Sequence, residues 1–326
     1  KTIVFLPVDV FYKNIYVFYN HYLKEYNFAF KGRKIKTELI NNYLENEQLA
    51  KLKGNLNLDF NISGKGFKRE DFNILGEIEM NSPEFGSLYS DLWFGRERLI
   101  LDEGFLNING DYLNFSGEIN LAKEKFDLDL DGTELTLKNL ANKLKKIQSR
   151  KIPDIGGQMT FEAELKGNFS SPVLTGNFQI DNTKFNELVF GDMEGELKYK
   201  EDELAFDQFV LKDNNRKIKG KARVDFSQAE PYFEADLSAD NLNYSYIKEK
   251  AVYFGMENLA NIDLPFTGSL ETDLELSGDF TNPEIKGNIS STDSIFNVGN
   301  KEIAADNILI SFNLGYNSYN KHLKFF

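Results

Sequence analysis

Cysteine is absent from this chain of 326 residues, and histidine occurs only at His21 and His322. Without cysteine, the protein cannot form disulfides, a cysteine-ligated zinc site or a thiol nucleophile. Two histidines at opposite ends of the sequence argue against a histidine-rich metal site and against a Ser-His triad. The sequence therefore predicts a protein that is not an enzyme, with no catalytic residues, no cofactor and no metal.

Positive charge and long apolar segments are also scarce. Lys and Arg number 38 against 51 Asp and Glu, a net charge of -13, so the chain lacks the basic surface that nucleic-acid binding requires. The densest apolar run, Ile15–Tyr19, is far too short to span a bilayer. Pro7 and Asp9 interrupt the only stretch that begins like a signal peptide. We therefore expect no nucleic-acid partner.

Apolar and aromatic residues are plentiful, and they alternate with polar ones. Hydrophobic residues make up 41% of the chain, with 29 Phe and 15 Tyr, which is enough to bury a core. Because alternate side chains of a strand point to opposite faces, the stretch Gly54–Gly64 predicts a strand with one apolar face. The same alternation recurs in four other stretches, which are Leu113–Leu121, Phe126–Leu130, Ile218–Phe226 and Ile308–Leu314.

Turns rich in Gly, Asn and Asp separate these segments, as antiparallel hairpins require. Helical spacing is limited to short stretches: Leu137, Leu140, Leu144 and Ile147 share one helix face. Weaker patterns predict helices near residues 39–44 and 242–247. The fold class predicted from the sequence is all-β with a few short helices, in a mostly antiparallel sheet with one apolar and one solvated face.

An internal repeat accompanies the alternation. A strand flanked by glycines occurs at Gly54–Gly64, Gly157–Gly167 and Gly268–Gly278, and the last two copies are followed by similar turns at Pro172 and Pro283. The interval slightly exceeds a hundred residues, longer than a propeller blade or a leucine-rich repeat. We predict a single elongated repeat body over residues 1–326. Its units would be 1–53 (the end of a preceding unit), 54–156, 157–267 and 268–326 (incomplete).

The repeat also carries a resemblance to a known family. The segment Leu276–Ile289, its approach Ala239–Tyr246 and the second copy Leu165–Phe185 resemble the recurring element of TamB and the wider AsmA-like family. These proteins include the translocation and assembly module subunit and the bridge-like lipid transfer proteins. The similarity extends over most of Gly54–Leu314, is strongest from Gly157 onward, and is carried by Gly, Pro and alternation.

This resemblance implies an elongated antiparallel sheet folded into a U-shaped β-taco with a hydrophobic groove. The family is anchored in the inner membrane of Gram-negative bacteria by an N-terminal helix and crosses the periplasm. Its implied roles are phospholipid transport between the membranes, outer-membrane protein assembly and protein secretion. The implied partners are phospholipid or another acyl lipid, and an outer-membrane β-barrel protein of the TamA or BamA kind. The chain would be an interior or C-terminal-proximal piece of such an anchored protein.

A lipid groove needs a strand face of apolar side chains, because each CH₂ removed from water gains about 0.8 kcal/mol. The residues predicted to line it are Leu56, Leu58, Phe60, Ile62, Leu113, Phe115, Ile119, Leu121, Phe161, Leu165, Phe178, Ile180, Val224, Phe226, Leu274, Leu276, Ile289, Ile310 and Phe312.

Other interpretations stay open. An apolar strand face is more often ordinary core than a ligand path. A β-repeat surface adhesin or structural filament protein with a closed core fits the same repeats. A carbohydrate-active enzyme would need a cleft of clustered acids, which the alternation does not single out. Asp127, Asp129 and Asp131 begin like a calcium loop, but Lys138 stands where that loop needs Glu, which favours a solvated strand face.

Overall fold

The structure is a computed structural model. It describes residues 14–20, 24–37, 53–66, 68, 71–83, 86–147, 154–185, 188–213, 216–227, 231–243, 245–246, 266–279, 282–291, 294–298, 301–305, 308–317 and 322–325. The chain forms two compact units, the first from residues 1–152 and 159–172 and the second from residues 153–158 and 173–326. The predicted helix near residues 39–44 lies outside the described residues.

The first unit is a run of long strands. They are β1 (Asn14–Asn20), β2 (Glu25–Lys36), β3 (Asn55–Lys65), β4 (Phe72–Ser82), β5 (Gly86–Gly95), β6 (Arg98–Ile108), β7 (Asp111–Asn120) and β8 (Lys125–Thr136). Each pairs antiparallel with the next. The helix α1 (Leu137–Ile147) follows β8, as predicted, and precedes β9 (Ile155–Asn168).

The second unit has the same character. Its strands are β10 (Ser171–Phe185), β11 (Leu188–Lys200), β12 (Glu203–Asp213), β13 (Arg216–Asp225), β14 (Tyr232–Leu242), β15 (Phe266–Thr267), β16 (Leu270–Asp279), β17 (Asn282–Ser291), β18 (Ser294–Val298), β19 (Lys301–Ala305), β20 (Ile308–Asn317) and β21 (His322–Phe325). The main ladder runs from β10 to β14 and on through β16, β17, β20 and β21. A small separate sheet contains β15, β18 and β19.

The protein is therefore all-β and antiparallel, as the alternation predicts. Three details of the prediction are wrong. Leu121 and Phe226 lie one residue beyond β7 and β13, where their backbone N–H groups donate to the carbonyls of Glu97 and Asp202. Leu242 ends β14 instead of starting a helix, and helical geometry near it is described only at 245–246.

A bulge recurs where β2, β8 and β14 end. Lys34, Glu134 and Asn241 have φ values of 56°, 53° and 61°, in the left-handed region that interrupts a regular strand. A buried aliphatic side chain, Ile35, Leu135 or Leu242, follows each of them. The bulge thus turns an aliphatic side chain toward the interior at the end of each strand.

Many of the buried side chains gather at this end of the strands. In the first unit, Ile35 faces Leu56 across β2 and β3, and both are buried. In the second unit, Leu242 faces Leu270, and these two residues form a buried cluster with Ala239 and Tyr246. Most of the core therefore lies in a band along one edge of the strands.

The substitution Leu135→Ala tests this assignment of the core. Leu135 is 1% exposed and lies beside Gly132 and the ring of Phe161, so its loss should cost about 2–5 kcal/mol of unfolding free energy. Leu130→Ala, on the same strand but half-buried, is the matched control and should cost less than half as much. Urea denaturation measures both, and equal losses would contradict the placement of the core.

Candidate functional site

The register of the first unit aligns the apolar side chains of successive strands into rows. One row contains only apolar residues on seven strands: Phe28, Ile62, Ile74, Phe94, Leu99, Ile119 and Phe126. A parallel row near the buried edge is Ile35, Leu56, Met80, Leu88, Leu106, Leu113 and Gly132. We call the side of the strands that carries these rows the apolar face.

Two further rows lie between them. The first is Phe30, Phe60, Gly76, Leu92, Leu101, Gly117 and Leu128. The second contains Leu58, Ile78 and Ser90, and after a bulge in β6 it continues with Gly104, Phe115 and Leu130. Rows two residues apart on each strand are separated by about 6.8 Å, so four rows make an apolar face about 20 Å wide.

The second unit builds its apolar face in the same way. One row is Phe178, Gly195, Phe209, Gly220, Leu237, Leu274, Gly287 and Phe312. The next is Ile180, Met193, Leu211, Ile218, Ala239, Thr272, Ile289 and Ile310. Val224 and Leu276 belong to neighbouring rows, opposite Phe233 and Ala235.

Glycines on the apolar face make room for aromatic rings. A Cβ atom at Gly76 would come within 2.6 Å of the Phe60 ring, and one at Gly104 would overlap the ring of Phe115. At Gly220, a Cβ would meet both Leu237 and the end of the Phe209 ring. Large side chains therefore lie across the glycines of neighbouring strands, so the rings lie close to the sheet.

The register places most of the predicted groove residues on these faces, although it does not cover Leu121, Phe161, Leu165 and Phe226. Most of the predicted residues are only partly buried. Leu56, Phe178 and Ile180 are buried. Those of intermediate exposure are Leu58, Phe60, Ile62, Leu113, Phe115, Ile119, Leu121, Phe161, Leu165, Val224, Phe226, Leu274, Leu276 and Ile289. The side chains of Ile310 and Phe312 lie outside the described residues, although their backbones are in register. The apolar rows are thus half-covered over most of their length.

The opposite face carries the charges. On β13, Lys217, Lys219, Lys221 and Arg223 are exposed; Lys221 pairs with Asp236 of β14 at 2.9 Å. A depression of about 650 Å³ on this face of the second unit is lined by lysines and carboxylates together, including Asp273 and Lys286. Exposed ion pairs of this kind contribute little to stability. We call this side of the strands the charged face.

The charged face of the first unit also contains apolar residues that the alternation does not reveal. Leu75, Trp93 and Ile100 face one another across β4, β5 and β6. Tyr89 stacks on Phe105 with ring centroids 5.4 Å apart. The signal that could have found them is the run Leu88–Phe94, in which both strand faces hold large apolar residues.

The surface around Tyr89 on the charged face of the first unit is acidic. The Tyr89 hydroxyl donates to Asp91 Oδ1 at 2.7 Å. This hydrogen bond, partial burial and the charges of Asp91, Glu77 and Glu103 raise the pKa of Tyr89 to about 12. Carboxylates disfavour the phenolate, so the shift reports a negative potential.

No helix in the described ranges is both long and apolar enough to span a membrane. The described side chains also contain no group of three or more His, Asp or Glu that could hold a metal ion. No protein-family model, curated protein or solved structure matches the chain. The predicted family membership therefore stays a prediction.

A spectrophotometric titration tests the electrostatics of the patch. The difference in tyrosinate absorbance between the protein and Tyr89→Phe isolates this one phenol, which should ionise near pH 12. Asp91→Asn removes the acceptor and the nearest charge, so the pKa of Tyr89 should fall toward the ordinary value of about 10. Asp192→Asn, on the charged face of the second unit, should leave it unchanged. A Tyr89 that titrates near pH 10 in the unaltered protein would contradict this geometry.

Proposed function

We propose that the chain is a non-enzymatic module that holds lipid acyl chains along its apolar face. The observation that carries the proposal is the set of half-covered apolar rows that cross successive strands in register. Such a surface is costly in water unless something apolar lies on it. Each acyl CH₂ removed from water gains about 0.8 kcal/mol, so a chain of a dozen carbons gains on the order of 10 kcal/mol.

The partial burial of the side chains in these rows favours a lipid groove over a closed core. A β-repeat adhesin or filament protein, the alternative, expects the inward face to be buried throughout. Here many buried side chains lie near one edge, around Leu135 and Leu270, and Phe178 and Phe209 are buried within one row. Phe60, Phe115 and Leu274 remain half-covered. A groove that is dry at one edge and open along its length fits a guest that slides or exchanges.

The bulges support a curved cross-section. Register shifts occur within β2, β6 and β12, and a bulge bends its strand and increases the local twist. We propose that the sheet of each unit curls around its apolar face, as in a β-taco. We propose, from the repeat pattern, that each repeat supplies such a groove.

The repeat itself is supported by matching details. The left-handed residue in the bulges of β2 and β8 has its N–H bound by a side chain of the strand that follows the crossover: Lys34 N donates to Asn57 Oδ1 and Glu134 N to Thr160 Oγ1. In the third case, Ser269 Oγ bonds Asn241 Oδ1. The first two contacts match in kind and lie close to the predicted repeat interval apart, whereas the third joins two side chains.

We further propose, from the resemblance to TamB and the AsmA-like family, that the chain is part of an inner-membrane-anchored protein in the periplasm of a Gram-negative bacterium. Its task would be phospholipid transport between the membranes and outer-membrane protein assembly and secretion, with a barrel partner of the TamA or BamA kind. Because the chain has a net charge of -13, it repels anionic headgroups. We therefore expect the headgroups to stay in solvent while the acyl chains lie on the apolar rows.

Mass spectrometry of lipids extracted from the purified protein tests the proposal. We expect copurifying phospholipid, and we expect Leu274→Asp to reduce it several-fold, because a carboxylate placed among the apolar rows must be desolvated by a bound acyl chain. Ala235→Trp, which fills the same face without adding charge, should also reduce it.

Thr175→Asp is the matched control, since Thr175 is exposed on the charged face opposite Lys198. It should retain the lipid. A protein that carries no lipid, or variants that all behave alike, would contradict the proposal.

A further inference from the structure

Two apolar rows lie exposed on the charged face of the first unit. Leu75, Trp93 and Ile100 form one row, in which Leu75 is 60% exposed and Ile100 38%. Tyr89, Phe105 and Tyr112 form the other: Phe105 and Tyr112 meet edge to face at 5.7 Å, and Tyr112 is 52% exposed. Apolar side chains that cluster on a solvated strand face mark an interaction surface more often than chance.

A row of carboxylates runs between them. Glu77 faces Asp91, and Asp91 faces Asp102, on three adjacent strands. Like charges directly opposite one another destabilise a sheet. One place further along the row, on β3, Asp59 is neutralised by Lys31 and by Arg33, yet within the described part of the chain no ion pair involves Glu77, Asp91 or Asp102.

The second unit places bases opposite the acids of its charged face. There, the acids of β14 face bases: Asp236 lies opposite Lys221, and Glu234 opposite Arg223. The chain can place cations beside cross-strand acids and does so elsewhere on the same kind of surface. The carboxylates of β4–β6 could therefore be neutralised by cations of a bound partner.

We propose that this acidic-aromatic patch, formed by the two apolar rows and the carboxylates between them, docks a basic amphipathic segment of a partner protein. Lys or Arg side chains would pair with Glu77, Asp91 and Asp102, and apolar residues of the segment would contact Trp93 and the Tyr89–Phe105–Tyr112 row. The carboxylate row crosses two strand spacings, about 10 Å. Basic residues at i, i+3 or i+4, and i+7 of a helix cover about the same length.

The patch is on the opposite side of the strands from the apolar face, so this docking does not depend on lipid binding. A partner could therefore bind while the apolar face is occupied. The same negative charge repels anionic lipid surfaces, and the described side chains hold no metal-binding group here, which leaves a cationic segment as the complementary guest.

Trp93, the only tryptophan of the chain, reports directly on the patch. We would titrate the protein with a helical peptide of two Lys-Leu-Ala-Lys-Leu-Ala-Lys repeats and follow Trp93 fluorescence. Saturable binding that shifts the emission and weakens with salt is the expected result. A peptide with Glu in place of Lys, cellohexaose, and phosphatidylglycerol vesicles are the comparison ligands and should produce no saturable change. Equal or stronger binding of any of these three would overturn the proposal.

The variants separate the patch from the net charge of the chain. The triple variant Glu77→Gln, Asp91→Asn, Asp102→Asn should weaken peptide binding by about tenfold, the loss expected for three exposed ion pairs. The matched triple Glu234→Gln, Asp236→Asn, Glu275→Gln removes the same charge from the second unit and should leave the affinity within a factor of about two.

A second variant covers the apolar contacts. Tyr112→Ser, at a position that is 52% exposed, should weaken binding several-fold. Equal losses in the two triple variants, or unchanged affinity in both the patch triple and Tyr112→Ser, would overturn the proposal. Circular dichroism confirms that each variant is folded, and removal of opposed like charges should if anything stabilise the patch triple.

Discussion

The structure depends on one constraint: an antiparallel ladder keeps the side chains of neighbouring strands in register, so a period of two along each strand becomes a continuous row across the strands. Ile62, Ile74 and Phe94 lie in one row because they are register partners on adjacent strands. A slip of one residue would move every apolar side chain to solvent. The register therefore determines both the apolar face, where we propose that lipid lies, and the charged face.

The antiparallel all-β class, seven of the strands (β3, β7, β8, β9, β13, β16 and β20) and one helix could be predicted from the sequence, because alternation and three-and-four spacing are local signals. The strand ends could not. Leu121 and Phe226 continue the alternation by one residue, yet each lies just beyond its strand, and its backbone N–H donates to the turn before the preceding strand. In β6, a bulge at Glu103 shifts the phase of the alternation, so Leu101 and Leu106 share the apolar face whereas Phe105 lies on the other. Alternation alone cannot reveal such a change of phase.

The acidic-aromatic patch was missed for a related reason. In β5, Leu92 and Trp93 are adjacent and both apolar, which a strict alternation treats as noise. Only the register shows that Trp93 joins Leu75 and Ile100, and that Glu77 and Asp91 are opposed. The extent of burial was equally beyond the sequence, because the alternation is the same in a closed core and in an open groove. Phe60 and Leu274 are only partly buried, which is the observation on which the proposed groove rests.

Site-specific photo-crosslinking to lipid tests the central claim, that lipid lies on the apolar face, most directly. A photoreactive amino acid placed in turn at Leu113, Asn114 and Phe115 samples both faces of β7 within three residues. The account predicts lipid adducts at positions 113 and 115 and none at 114, where the side chain is exposed and bonds Asp131. Adducts at all three positions, or at none, would contradict it.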